Sequence, residues 1–252
     1  RSYGTVTSGL PADRARLRNQ GALLKEVREL LTLSRGYGMD SVRQRAMSTA
    51  ETVSASLSEV VDDSALELVV DLRLAFGRLL AALGANERAE KEHLDTAELS
   101  LSQGWTETAC AALALASHAA QARGDRASSG RAWRQCRDAM ESWPMNRPGE
   151  RCGILVDAVG DPLVAVQVLS ALAEVLVDGV EEDHSRAPII REIISRASEQ
   201  ASRCVSPPQG AVESLARVEE RIAPYGRGRG GRRRPGSTTT ITTDGQAAAG
   251  GK

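Results

Sequence analysis

The side chains that could bind a metal or act in catalysis are few in this sequence, and they are widely spaced. Three histidines lie far apart and the four cysteines form no C-x-x-C pair: His93, His118, His184, Cys110, Cys136, Cys152 and Cys204. Cys110 and His118 fall on a similar helix face, but a zinc site needs further ligands that are not evident near them. We therefore expect no metal, no cofactor and no enzymatic activity, and we interpret the cysteines as reduced thiols in an intracellular compartment.

Other catalytic patterns are missing or incomplete. The sequence contains no G-x-S-x-G elbow for a serine nucleophile. The glycines at 226–231 resemble a phosphate-binding loop, but they lack a preceding strand, a Walker lysine and a following helix. The acidic residues Glu181, Glu182 and Asp183 are interpreted as a solvated connector. These patterns point to a protein that binds and does not catalyse.

The segment from Tyr225 to Pro235 is the one stretch with its own functional argument. It carries five arginines among glycines and no acidic residue. Flexible glycines let arginines contact phosphates, and a guanidinium can stack on exposed bases. The candidate contact residues for RNA or for an acidic partner protein are Tyr225, Arg227, Arg229, Arg232, Arg233 and Arg234. A role in RNA binding, a role in protein binding and no role at all remain open for this segment.

The composition favours an all-α fold. Hydrophobic residues make up 41% of the chain and aromatic residues only 3%, with Phe76 as the single phenylalanine. Alanine and leucine dominate the apolar positions, and small alanines allow helices to approach closely. The formal net charge of −1 indicates no particular partner. The preference for arginine over lysine reflects a GC-rich genome or, alternatively, selection for guanidinium contacts with phosphates and carboxylates.

Apolar periodicity and breaker residues predict about ten helices in antiparallel pairs. Asp40 and Thr106 are predicted to cap helices, and the Asp161–Pro162 pair is a strong helix start. We divide the chain into an irregular segment at 1–11, a helical domain at 12–223 and a disordered basic tail at 224–252. The predicted helices are 12–34, 41–60, one from about 64 to the turn at Gly84, 87–102, 107–123, 127–142, 150–159, 162–177, 189–204 and 211–222.

The turn glycines at positions 84, 124 and 160 recur at spacings of 40 and 36 residues. A small residue follows each glycine by five positions, a bulkier one follows by nine, and another small one precedes it by seven. Two antiparallel helices need small residues where they cross, and the bulky residue fills the adjacent gap. The small residues five positions after the glycines are Ala89, Ser129 and Ala165. The bulkier residues nine positions after are His93, Trp133 and Leu169, and the small residues seven positions before are Gly77, Ser117 and Gly153.

This pattern resembles tetratricopeptide-type repeats over residues 64–178, and a generic antiparallel helix bundle is the alternative. The resemblance implies an α-solenoid with a concave groove that binds a peptide or a partner protein. We expect that surface on the first helices of the pairs, near Arg73, Arg78, His118 and Gln121. The resulting hypothesis is a non-enzymatic scaffold subunit of a larger assembly. The alternative is an RNA-contacting subunit of an organellar ribosome or RNA-processing complex, which uses the basic tail.

Targeting signals are weak. No apolar run reaches 18 residues without a charge, and the closest candidate, 154–177, is interrupted by acidic residues, glycine and proline. We therefore expect no membrane span. The first eight residues are rich in hydroxyl groups and lack acids, as in the remnant of an organellar transit peptide or in a disordered terminus. We favour the mitochondrial matrix over the cytoplasm.

Overall fold

The computed structural model describes residues 11–58 and 65–225, and within these ranges the chain is all-α, with ten α-helices and no strand. The all-α prediction is therefore confirmed. The predicted tail, apart from its first two residues, and the predicted start of the third helix at 62–64 lie outside the described residues. The helices are α1 (Pro11–Tyr37), α2 (Arg43–Ser58), α3 (Leu66–Ala82), α4 (Asn86–Ser102), α5 (Thr106–Ala122), α6 (Arg126–Glu141), α7 (Pro148–Val159), α8 (Pro162–Val177), α9 (Arg186–Ser202) and α10 (Gln209–Ile222).

Glycines in the left-handed backbone region end several helices. Gly84, Gly124 and Gly160 have φ values of 84°, 83° and 63°, which residues with a Cβ rarely adopt. Gly104, between α4 and α5, has a φ of 70°. The turn glycines of the predicted repeat therefore act as the sequence pattern indicated.

The predicted helix starts are correct at one position and wrong at two. The Asp161 side chain accepts hydrogen bonds from the amides of Leu163 and Val164 and caps α8, with Pro162 at the first helical position. Asp40 instead lies in a short 3₁₀ turn, and its carboxylate accepts from the Arg43 side chain at 3.0 Å. Thr106 is already the first residue of α5, whose N-cap is Trp105 without a side-chain hydrogen bond. A capping side chain must precede the first helical turn, so Thr106 lies one position too late.

The buried side chains form two clusters that meet at α3. The N-terminal core joins α1 and α2, together with Ala89 of α4 and Ala119 of α5, to the face of α3 that carries Val69, Leu72 and Phe76. The C-terminal core joins α4–α10 to the α3 residues Val70 and Leu74. Because α3 contributes to both clusters, its helix is apolar on nearly all sides, as the sequence indicated.

Helix α5 occupies the centre of the structure. It packs extensively on α4 and on α6, and it also contacts α7 and α8. Contacts between next-but-one helices join α1 to α3, α3 to α5, α5 to α7 and α7 to α9 among the odd-numbered helices. Among the even-numbered helices they join α6 to α8 and α8 to α10. Helices therefore pack mainly on their neighbours in sequence and on the helices two positions away.

A small and a bulky residue of the repeat meet in the first of the three hairpins, and two small residues meet in the second. In α3–α4, the imidazole of His93 lies so close to Gly77 that a Cβ at this position would overlap the ring. His93 is 1% exposed, so its predicted role in packing between helices is confirmed. In α5–α6, the Ser117 hydroxyl donates to the Ser129 carbonyl at 3.0 Å. In α7, by contrast, a Cβ at Gly153 would meet no atom within 4 Å.

Candidate binding grooves

A basic groove lies between α1, α3 and α7. It encloses 480 Å³, and we call it the arginine groove. Its lining residues are Arg28, Leu31, Thr32, Arg35, Asp71, Leu74, Arg78, Ile154, Asp157, Ala158 and Gly160. All three helices are first helices of their predicted pairs, the side where the sequence placed the binding surface.

Arg78 extends from α3 to the C-terminal end of α7. Its Nη1 donates to the Val159 carbonyl at 3.3 Å, and its guanidinium lies against Gly160, where a Cβ would overlap it. The Nε of Arg78 is buried and has no hydrogen-bond partner among the described residues. Burial, followed by repulsion from Arg35 and Arg28, lowers the pKa of Arg78 to about 10. Arg78 therefore carries its positive charge at neutral pH and keeps an unused donor.

Two further arginines surround Arg78. Arg35, in the last turn of α1, donates to the Gly160 carbonyl. Arg28 pairs with Asp71 at 3.4 Å. Cations favour the C-terminal end of a helix because unpaired carbonyls give that end a partial negative charge. The end of α7 therefore holds Arg35 and Arg78 close together despite their mutual repulsion.

A second groove lies between α5, α6, α8 and α10 and encloses 770 Å³. His118 and Gln121 line it, and a ring nitrogen of His118 lies 2.7 Å from the Gln167 side-chain oxygen. Trp133 forms part of the same wall. On the opposite side, Glu174 accepts from Arg137 at 3.3 Å and from Ser214. His118 and Glu174 are therefore engaged by neighbouring side chains of the groove, whereas Gln121 and Arg126 are exposed.

The four residues predicted for partner binding therefore lie in three places. Arg78 lines the arginine groove, whereas His118 and Gln121 line the second groove. Arg73 is ion-paired with Glu92 of α4 at 3.1 Å, and each side chain is about a quarter exposed. Burial raises the pKa of Glu92 although Arg73 lowers it. Arg73 therefore joins α3 to α4 and contributes to neither groove.

Tyr225 is the last described residue, and its ring centroid lies 4.8 Å from that of His184. The candidate contact residues Arg227, Arg229, Arg232, Arg233 and Arg234 lie outside the described residues. Tyr225 thus places the beginning of the basic segment beside the loop between α8 and α9. That loop contains the acidic residues 181–183.

The cysteines are free thiols, and three of them are buried. A hydrogen bond with Cys110, followed by burial, raises the pKa of Cys136, while burial raises the pKa of Cys152 to about 12. Thiols in this environment stay protonated and are weak nucleophiles. Within residues 11–58 and 65–225, no group of three or more histidine, cysteine and acidic residues could hold a metal ion.

Sequence reasoning did not identify Arg28, Arg35 and Asp157 as groove residues. Arg35 and Gly160 are 125 positions apart, and no local pattern connects them. A basic residue in the last turn of α1 was visible in the sequence, but that feature alone is common in helices. The contact depends on how α1 packs against α3.

No protein family, curated protein or solved structure matches this chain. In the part of the chain that the structure describes, no helix has both the length and the apolar character needed to cross a membrane.

Proposed function

We propose that this protein is a non-enzymatic interaction subunit that holds partner proteins within a larger assembly. In this proposal its helix pairs stack as an α-solenoid of the tetratricopeptide type. The contacts between neighbouring and next-but-one helices support that arrangement, because each unit of a solenoid contacts mainly the units beside it. Stacked first helices line a groove in such arrays, and α1, α3 and α7 line one here.

The partner segment in this proposal is an extended peptide that places one carboxylate in the arginine groove. The observation that carries the proposal is the presence of three guanidinium groups, those of Arg28, Arg35 and Arg78, in one groove. Guanidinium groups bind carboxylates through paired, charge-assisted hydrogen bonds. A carboxylate here would pair with guanidinium groups that the fold already brings together.

The charge of the groove favours a carboxylate over a phosphate backbone. Arg28, Arg35 and Arg78 are opposed by Asp71 and Asp157, so the lining groups leave one positive charge. The carbonyl groups at the end of α7 add further negative potential. One carboxylate balances this charge, whereas a series of phosphates would meet repulsion from the aspartates.

The experiment uses the full chain with a photoreactive side chain at Thr32, an exposed residue of the groove, or at Gln103 in the α4–α5 turn. We expect a partner to be cross-linked from position 32 and not from position 103. The purified partner should then bind Thr32→Trp at least tenfold more weakly than the wild type. Gln103→Trp adds the same bulk outside the groove and should leave the affinity unchanged. Equal affinity of the partner for both tryptophan variants would overturn the proposal.

The RNA-contacting alternative rests on the arginines between Tyr225 and Pro235. If it is correct, RNA should bind the full chain with a steep salt dependence, and deleting residues 225–235 should flatten that dependence. The Thr32→Trp substitution should then have no effect on RNA binding. Salt-dependent RNA binding without any protein partner captured from position 32 would favour this alternative over the interaction subunit.

A further inference from the structure

A third groove, separate from the arginine groove and from the groove that holds His118 and Gln121, lies between α4 and α6. Helix α5 packs on both helices. The space between α4 and α6 has a volume of 750 Å³, and we call it the α4–α6 groove. Its floor and walls include four apolar residues that are at most 9% exposed: Ala97, Leu113, Ala132 and Ala139. Leu101 at its edge is 48% exposed, the largest exposure among the leucines in the structure. The groove therefore has a buried apolar floor and an exposed leucine at its edge.

The two walls differ in side-chain size in a way that suits another helix. On α4, Leu94, Ala97 and Leu101 follow one another at helical spacing along the groove. On α6, Ala132 and Ala139 are seven residues apart. Small alanines on one wall let a helix backbone approach, and leucines on the other wall provide the side chains that pack against it.

The rim of the groove is acidic. Glu98 of α4 and Asp138 of α6 line it, and both residues are exposed. Neither carboxylate has an ion-pair partner among residues 11–58 and 65–225, whereas Glu90 is bound by Arg123 at 2.6 Å. Among the described residues, the one cation in the lining is Arg131, which donates to the Ser128 hydroxyl at 2.8 Å. The free charges on the rim are therefore mostly negative.

These charges are not evenly distributed along the groove. Because α4 and α6 are both antiparallel to α5, they run in the same direction. Glu98, Leu101 and Asp138 belong to the C-terminal halves of these helices, where the helix dipoles add negative potential. Arg131 belongs to the N-terminal half of α6. One end of the groove therefore combines exposed apolar surface with a concentration of negative charge.

We propose that the α4–α6 groove binds an amphipathic helix of a partner protein whose apolar face is flanked by lysine or arginine. The apolar face packs on Leu94 and Leu101, and the basic residues pair with Glu98 and Asp138. The helix runs antiparallel to α4 and α6, so that its positive N-terminal end lies at their C-terminal ends. This site goes beyond the proposed function because it gives the chain a second partner surface of opposite charge.

The Arg/Gly segment of the same chain is a poorer occupant. Residues 226–236 contain only glycine, arginine and proline, so they provide basic groups without an apolar face. They cannot cover Leu101 and Leu94. Removing the segment should therefore leave the binding of a partner helix unchanged.

The test uses an 18-residue helical peptide with leucine on one face and lysine on its flanks, and a matched peptide with glutamate in place of lysine. Titration calorimetry of the full chain should show binding of the leucine–lysine peptide only. The double variant Glu98→Lys/Asp138→Lys should weaken that binding at least tenfold. The control pair Glu51→Lys/Glu67→Lys makes the same charge change at exposed positions outside the groove and should have little effect.

Three results would overturn the proposal. The first is an equal loss of affinity in the groove pair and in the control pair, which would indicate non-specific charge attraction. The second is peptide binding that survives Leu101→Glu, because the exposed leucine would then have no part in it. The third is a full-length dimer that Leu101→Glu converts to a monomer, which would make a second copy of the chain the occupant.

Discussion

The α3–α4 hairpin and the α7–α8 hairpin carry the same spacing of small residues around their turn glycines, but their helices pack differently. In α3–α4, Gly77 allows the His93 ring to lie against the backbone, and the two helices share an extensive contact. In α7–α8, Gly153 faces open space, and the contact between the helices is much smaller. Helix α8 packs chiefly on α9 and α10.

The contacts that stabilise the two hairpins also lie at different places. The α3–α4 turn has no side-chain cap, because Ala85 is the N-cap of α4. In the α7–α8 turn, Asp161 caps α8, while Arg78 and Arg35 bind the carbonyls of Val159 and Gly160. The first hairpin is therefore stabilised where its helices cross, and the other at its turn. A shared spacing of small residues permits close approach, but the bulky partner decides whether it occurs.

The largest effect that would test this comparison is expected for Gly77→Ala. The new methyl group would overlap the buried His93 ring, and overpacking of this kind costs about 3 kcal/mol of unfolding free energy. Gly153→Ala in α7 is the matched control, and it should stabilise the protein by roughly 0.5–1 kcal/mol through helix propensity. Urea unfolding of both variants measures the difference. Equal stability of Gly77→Ala and the wild type would contradict the tight crossing.

The second expected effect is a pH dependence of stability that arises from His93 in the α3–α4 hairpin and has no counterpart in the α7–α8 hairpin. Burial, with a smaller contribution from Arg78, lowers the pKa of His93 from 6.5 to about 3. The unfolded chain therefore binds the proton more tightly than the folded chain, so stability falls as the pH falls below 6.5. Between pH 6.5 and 4.5 the loss from this group should be about 2.5 kcal/mol. The corresponding residue of the α7–α8 hairpin is Leu169, which does not titrate.

This pH effect is measured by urea unfolding of the wild type and of His93→Gln across the same interval. The variant lacks the titrating ring, so the difference between the two curves isolates its contribution from those of the carboxylates. Parallel curves would show that His93 does not become harder to protonate on folding.

The smallest expected effect concerns the turn of the α7–α8 hairpin. Asp161→Ala removes a cap that accepts from two amides and should cost about 1 kcal/mol. Asn86→Ala, at the start of α4, removes a side chain with no capping bond and should change stability little. Thermal unfolding of the two variants compares the turns directly. A larger loss of stability for Asn86→Ala than for Asp161→Ala would show that the α3–α4 hairpin, and not the α7–α8 hairpin, depends on its turn.

The helices could be predicted because local chemistry marks their ends. Gly84, Gly124 and Gly160 supply the left-handed backbone that ends a helix, and Asp161–Pro162 begins one. Two predicted caps were wrong because a hydroxyl or carboxylate acts only at one position relative to the first turn. Thr106 lies one residue beyond that position, and Asp40 lies in a 3₁₀ turn before α2.

The candidate sites could be predicted only in part. Arg78 lies in a groove between first helices, as the hypothesis of a binding surface there requires, but His118 and Gln121 lie in another groove. The arginine groove depends on α1 and α7 meeting across α3, which no sequence periodicity encodes. Glu98 and Asp138 form the rim of the α4–α6 groove only because α4 and α6 lie on either side of α5.

The position of α3 between the two cores has a consequence for how the protein unfolds. If α1 and α2 came away, Val69, Leu72 and Phe76 would lose the part of their cover that α1 and α2 provide, while Val70 and Leu74 stayed packed. A helix with one face partly hydrated loses some of the burial that keeps it folded, so α3 would tend to melt next. Amide hydrogen exchange in α3 should therefore follow that of α1 and α2. The α7 end of the arginine groove would lose Arg35 and Arg78 in the same event, so the proposed partner binding would depend on the cooperativity of the N-terminal half.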